Sequence, residues 1–163
     1  MSLSTRARVL LLAGSCLGAA SIGGLIWHSV TVVQTYTVGA DHGAVITERG
    51  LSQLFAMDVW YVFTGLIVGI LLGSLTWTLF HQIGWWVAPL AALVGLIAAV
   101  ICWQLGEALG PSDFAARVAA ALPGDKVPVD FTLHTLTALL TWPFGALIPV
   151  ILYAAFERNP VES

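Results

Sequence analysis

Gly65-Leu66-Ile67-Val68-Gly69-Ile70-Leu71-Leu72-Gly73 places a glycine at every fourth position of an unbroken apolar run. In water, each glycine weakens a helix by about 1 kcal/mol relative to alanine. In lipid the backbone has no other hydrogen-bond partner, so a helix holds in spite of them. Residues four apart share a helix face, with a drift of about 40° per step. Gly65, Gly69 and Gly73 therefore form a shallow groove into which a second backbone can settle. Small-residue stripes of this kind are how membrane helices pack, because lipid supplies no hydrophobic force between them.

The rest of the chain agrees with a bilayer setting. Of its 163 residues, 58% are hydrophobic and only 9% charged, with a mean hydropathy of +0.91. Soluble domains carry about 25% charged residues. A net charge of -3 with no basic run gives no footing for nucleic acid. Apolar blocks at about 9–33, 59–80, 85–105 and 133–156 each reach the roughly 20 residues needed to cross. The expected fold is an all-α membrane domain over 1–163, a four-transmembrane-helix bundle. Arg6-Ala7-Arg8 and Ala13-Gly14-Ser15-Cys16 also allow a cleaved lipoprotein leader, but Leu17 to Val33 stays apolar where a polar tether would begin. Cys16 and Cys102 fall at different depths and read as small core residues, not a redox pair.

Arg6 and Arg8 before the first block, and Arg158 after the fourth, place both termini in the cytoplasm of a plasma-membrane protein. Trp27, Trp60 and Trp103 then mark the outer interface, and Trp77, Trp85 and Trp86 the inner one. Trp142 stands apart, well inside the last block, where it reads as a packing residue against a small neighbour. His81-Gln82-Ile83-Gly84 is short enough to make the second and third helices an adjacent hairpin. For that reason the glycine stripe is expected to face Ala91, Gly95 and Ala99 of the third helix, ahead of Gly14 and Gly18 of the first.

Two extracytoplasmic excursions, about 34–58 and 106–132, complete the layout. In the first, β-branched residues 32–38, a turn at 39–43 and residues 44–47 predict a small β-hairpin. Leu51 to Met57 predicts a short amphipathic helix at the interface. In the second, Asp113 to Leu122 predicts a short helix capped by Ser112 or Asp113 and stopped by Pro123-Gly124, with Val127 to Val129 extended. The two excursions are expected to pack together as a lid.

Chemistry is sparse. His28, Asp58, Gln104, Glu107, Asp130 and His134 gather at the outer end as a candidate polar cluster. Ionisable residues inside a membrane are functional suspects, although most of these sit at the interface. His28 and His134 could in principle oppose each other as axial ligands, but no metal-ligand spacing surrounds them. No cofactor is expected. No charged residue reaches the middle of a block, as a transport pathway would require. No serine, cysteine or paired-carboxylate pattern points to an enzyme.

Asp58-Val59-Trp60-Tyr61 leading into the glycine stripe, Trp103-Gln104-Leu105-Gly106 with Leu109-Gly110-Pro111, and Gly124-Asp125-Lys126-Val127-Pro128 before Trp142-Pro143 carry a resemblance. In this order they resemble a family of small four-helix actinobacterial membrane proteins of unknown function. The likeness covers most of the chain and implies an actinobacterial plasma membrane. By analogy, it implies a non-catalytic accessory subunit of a larger assembly, such as the cytochrome bcc–oxidase supercomplex, with membrane lipids around it. The alternative is a small protein that holds a lipid or quinone beneath the lid.

Overall fold

The computed structural model describes residues 4–39, 44–45 and 48–157. It is mostly helical. Three continuous stretches are long and apolar enough to cross a membrane: Thr5–Val30, Phe55–Ala120 and Leu136–Phe156. The middle stretch reverses direction. Its helices α2 (Glu48–Phe80) and α3 (Val87–Leu109) meet at a 3-10 turn, His81–Trp86. Gly84 makes the reversal at φ 67°, ψ -139°, a conformation that glycine alone adopts without strain. The other long helices are α1 (Thr5–Val30) and α5 (Thr141–Glu157). A short α4 spans Phe114–Ala120.

Several boundaries differ from those read in the sequence. α1 starts at Thr5, because the Ser4 side chain caps it by accepting from the Ala7 amide at 3.3 Å. No separate interfacial helix exists at 51–57. No glycine or proline falls between Leu51 and Trp60 to set off a separate helix, and α2 runs unbroken from Glu48 through Gly50. The last helix does not begin at 133. Residues Leu136–Leu140 form a 3-10 turn, and regular α geometry starts at Thr141. Pro143 gives the reason. In a first turn its missing N–H costs nothing, and α5 carries only Pro149 in its interior.

The two excursions share one small sheet of order β2-β1-β3. β1 (Thr35–Val38) pairs antiparallel with β2 (Ala44–Val45), as the hairpin reading expected, in the register Thr37 opposite Val45. Its other edge pairs antiparallel with β3 (Lys126–Pro128), Tyr36 opposite Val127. The expected turn at Asp41-His42-Gly43 lies outside the described residues, as do Thr47 and Arg158.

Within the bundle, α2 packs most extensively on α5, and α1 on α3. The glycine stripe is an internal seam, but its partner is α5, not α3. A Cβ on Gly65 would overlap the Trp142 indole, one on Gly69 the Trp142 carbonyl, and one on Gly73 the Ala146 backbone. Gly95 of α3 faces the same segment, with Pro143 Cα at 2.8 Å from where its Cβ would stand. The α2 and α3 stripes thus do not meet each other. Both close on Trp142 to Ala146, because Trp142 is fully buried at the bundle centre and needs small surfaces on each side. Gly14 and Gly18 are not packing residues at all: both are exposed, with nothing within 4 Å of an added Cβ. Gly23 and Gly24 fill that role in α1, against Trp142 and Thr64 and against Cys102 and Leu105. Cys16 and Cys102 are buried and free.

Candidate functional site

The outer polar residues are arranged by the segment that connects the cap to α5. Phe131 and Leu133 are buried, while Asp130, Thr132 and His134 alternate with them. Alternation of this kind sends successive side chains to opposite sides. Each polar member contacts a different helix. Asp130 Oδ1 accepts from the Phe114 amide at 2.9 Å and from Arg117 Nη2 at 2.7 Å, on α4. Thr132 Oγ1 donates to Glu107 Oε1 on α3. The His134 amide donates to Asp58 Oδ1 on α2 at 3.1 Å, and His134 Nδ1 lies 3.8 Å from the same oxygen.

The six expected residues are therefore not one cluster. Asp58 and His134 come together, and Asp58 is buried with its side chain 11% exposed. Glu107 and Asp130 each join a separate contact. His28 lies beside Phe131, with ring centroids 5.2 Å apart, and its buried Nδ1 has no hydrogen-bond partner among the described residues. Gln104 is exposed. The expected cap of α4 is also corrected. Asp113 occupies the N-cap position at φ 60° without a side-chain cap bond, and Asp130 supplies the acceptor from across the cap.

Two groups were not legible as important. Arg117 holds the cap together: besides Asp130, it donates to Ser112 O and Pro128 O, each at 2.8 Å. The one sequence signal was a single arginine among Asp113, Asp125 and Asp130. Tyr61 is fully buried between two tryptophans, with centroids 5.0 Å from Trp27 and 5.6 Å from Trp142, and its hydroxyl donates to Ala99 O at 2.7 Å. Trp27 is likewise no interfacial anchor. It is fully buried, and its Nε1 donates to Met57 O at 2.8 Å. Trp60, Trp85 and Trp86 are exposed, and Trp77 and Trp103 are half-buried.

At the opposite end Arg8 reaches the last turn of α2, donating from Nη1 to Leu79 O at 3.1 Å. A cation there satisfies a carbonyl that the helix leaves free and complements the helix dipole. Among the described residues no three His, Cys, Asp or Glu side chains come together as a metal-ligand set. Several hollows open on the bundle flanks. One lies between α2 and the start of α5 and includes Asp58, with a volume of about 330 Å³. Another, about 380 Å³, is wholly apolar and lies between the N-terminal halves of α1 and α3. No protein-family model, curated protein or solved structure matches the chain.

Proposed function

We propose that the protein crosses the plasma membrane four times, with both termini cytoplasmic, and acts as a non-catalytic accessory subunit that presents its extracytoplasmic cap to a larger membrane complex. The 66-residue stretch Phe55–Ala120 counts as two crossings, since it turns back at Gly84. Arg6, Arg8 and Arg158 orient it.

The observation that carries the subunit reading is the construction of the cap. Two excursions far apart in sequence are joined by β1–β3 pairing and by the backbone bonds Val38 N to Asp125 O, Gly124 N to Val38 O and Val129 N to Gln34 O, while Arg117 ties the second excursion to itself. An ordered surface of this kind is pre-organised for a protein partner, which lowers the entropy lost on docking. Helix faces in lipid discriminate poorly by themselves, so recognition belongs to the cap. Asp113 and Asp125, both exposed, favour a basic partner surface, Asp130 being already paired with Arg117. Among partners, the resemblance alone puts the actinobacterial cytochrome bcc–oxidase assembly first.

Two measurements test the reading. A cysteine placed at 42 should react with an impermeant reagent from outside and one at 160 should not; the reverse pattern refutes the topology. Gentle-detergent purification should recover stoichiometric partner proteins, and replacing 111–129 by a Gly/Ser linker should release them while the bundle still inserts. Retention of the partners by the linker variant would remove the cap from the interface.

A further inference from the structure

The end of the bundle opposite the cap carries a hollow whose lining is not wholly apolar. Its volume is about 480 Å³, within the roughly 300–1,000 Å³ of ligand pockets. Trp77 of α2, His81 and Trp85 of the 3-10 turn, and Ala154 of α5 line it, over Val87 and Val150, which are both buried. His81 fixes what this hollow offers. Its Nδ1 lies 3.2 Å from the Trp77 carbonyl. A carbonyl only accepts, so Nδ1 carries the proton, and in the neutral ring Nε2 is left as an acceptor. Trp77 is held in place by stacking on Tyr153, with centroids 5.9 Å apart. Trp86 covers one face of Trp85 at 4.0 Å and leaves the other open. Among the described residues no Lys or Arg lines the hollow, and Arg8, at the same end, is bound to the Leu79 carbonyl.

We propose that this hollow binds the primary ammonium of a phospholipid head group, that is, phosphatidylethanolamine. An ammonium donates to Nε2 and lies against an indole face, which attracts cations. The trimethylammonium of phosphatidylcholine can use the indole but has no N–H for Nε2. The head of phosphatidylglycerol has no cation at all, and the hollow gives its phosphate no charged donor. Trp77, Trp85 and Trp86 form the expected aromatic belt at this end, the level at which head groups lie. A lipid can therefore fill the hollow without leaving the bilayer, its tail running down past Ile151, which is exposed on the same wall. Either orientation of the bundle puts this end at an interface. The inference does not rest on the subunit reading: failure to recover a partner complex leaves it standing.

The test titrates the full chain in detergent with phosphatidylethanolamine, phosphatidylcholine and phosphatidylglycerol of identical acyl chains, read by native mass spectrometry. One saturable phosphatidylethanolamine is expected, bound at least tenfold more tightly than phosphatidylglycerol and at least threefold more tightly than phosphatidylcholine. His81→Phe keeps a ring but removes the acceptor, and should erase the preference over phosphatidylcholine. Trp85→Leu should weaken both. Ala154→Phe leaves His81 and Trp85 in place but fills the hollow, and should abolish binding even if the other variants do not fold. Leu93→Trp, in the apolar hollow between α1 and α3, should change nothing. No saturable site, binding of phosphatidylglycerol as tight as that of phosphatidylethanolamine, or indifference to Ala154→Phe would each overturn the proposal. So would displacement of the lipid by millimolar free ethanolamine, which would make the occupant a soluble amine.

Discussion

The bundle and its cap are held together by different physics. At the centre of the bundle Trp142 is fully buried against Gly65 and Gly23, and its indole N–H has no hydrogen-bond partner among the described residues. Shape alone secures that seam. In the cap, one guanidinium reaches three acceptors on separate segments. The contrast fits the two solvents that the proposed membrane placement gives these regions. In lipid, association depends on close van der Waals contact, so residues without side chains do the most. In water, a small excursion cannot bury enough apolar surface to hold itself together, and hydrogen bonds must fix its geometry. A defect in the seam should therefore be global, and a defect in the cap local.

The largest effect is expected at the seam. In Gly69→Leu the new side chain would meet the Trp142 carbonyl and the Ala146 amide, backbone atoms that cannot yield as a flexible side chain can. Overpacking costs about 1–3 kcal/mol in adaptable cores, and this site should exceed that range. Membrane level and monodispersity in detergent should both collapse. Gly18→Leu is the matched control: it lies in open space and should leave both readouts unchanged. Equal tolerance of the two substitutions would mean that the seam does not hold the bundle.

A smaller effect separates shape from hydrogen bonding within the bundle itself. Trp27 and Trp142 are both fully buried, yet only Trp27 donates its N–H, to Met57 O. Trp27→Phe should lose that bond, at about 0.5–1.5 kcal/mol beyond the lost ring volume, while Met57 O keeps its partner within α2. Trp142→Phe loses volume but no hydrogen bond, so its cost should be the lower of the two. Thermal unfolding in a fixed detergent gives the order. A larger loss for Trp142→Phe would show that packing outweighs the bond even where the bond exists.

This division also explains what could be read from the sequence. Apolar block length and the four-residue glycine period depend on local spacing, so the helical elements and an internal glycine seam were legible. The seam's partner was not. Adjacency in sequence favoured α3, but the deciding fact was the volume of Trp142, whose placement depends on where Pro143 lets α5 begin. Gly14 and Gly18 have the right spacing and still face away, since spacing defines a stripe and not its direction. The outer residues were legible as a belt but not as contacts. Their pairing comes from the alternation at 130–134, which brings Asp58 to a residue 76 positions away.

The smallest effect, and the one that tests locality, concerns Arg117. Its ion pair with Asp130 is partly exposed, with the two side chains 29% and 41% accessible. Screened pairs of this type contribute about 1 kcal/mol or less. The arginine nevertheless also holds the Ser112 and Pro128 carbonyls, so Arg117→Gln removes three contacts that tie α4 to the segment before it, to the end of β3 and to Asp130. Amide exchange should speed up in 114–120 and 126–128, while exchange in the α2 and α5 seam and the unfolding temperature of the bundle stay as they were. Arg117→Lys should rescue little, because a single ammonium cannot reproduce the planar fork that spans three acceptors. If Arg117→Gln instead lowered the unfolding temperature of the whole chain by several degrees, cap and bundle would be one cooperative unit. The Phe131 contacts with Trp27 and Gly106 would then be the route of coupling.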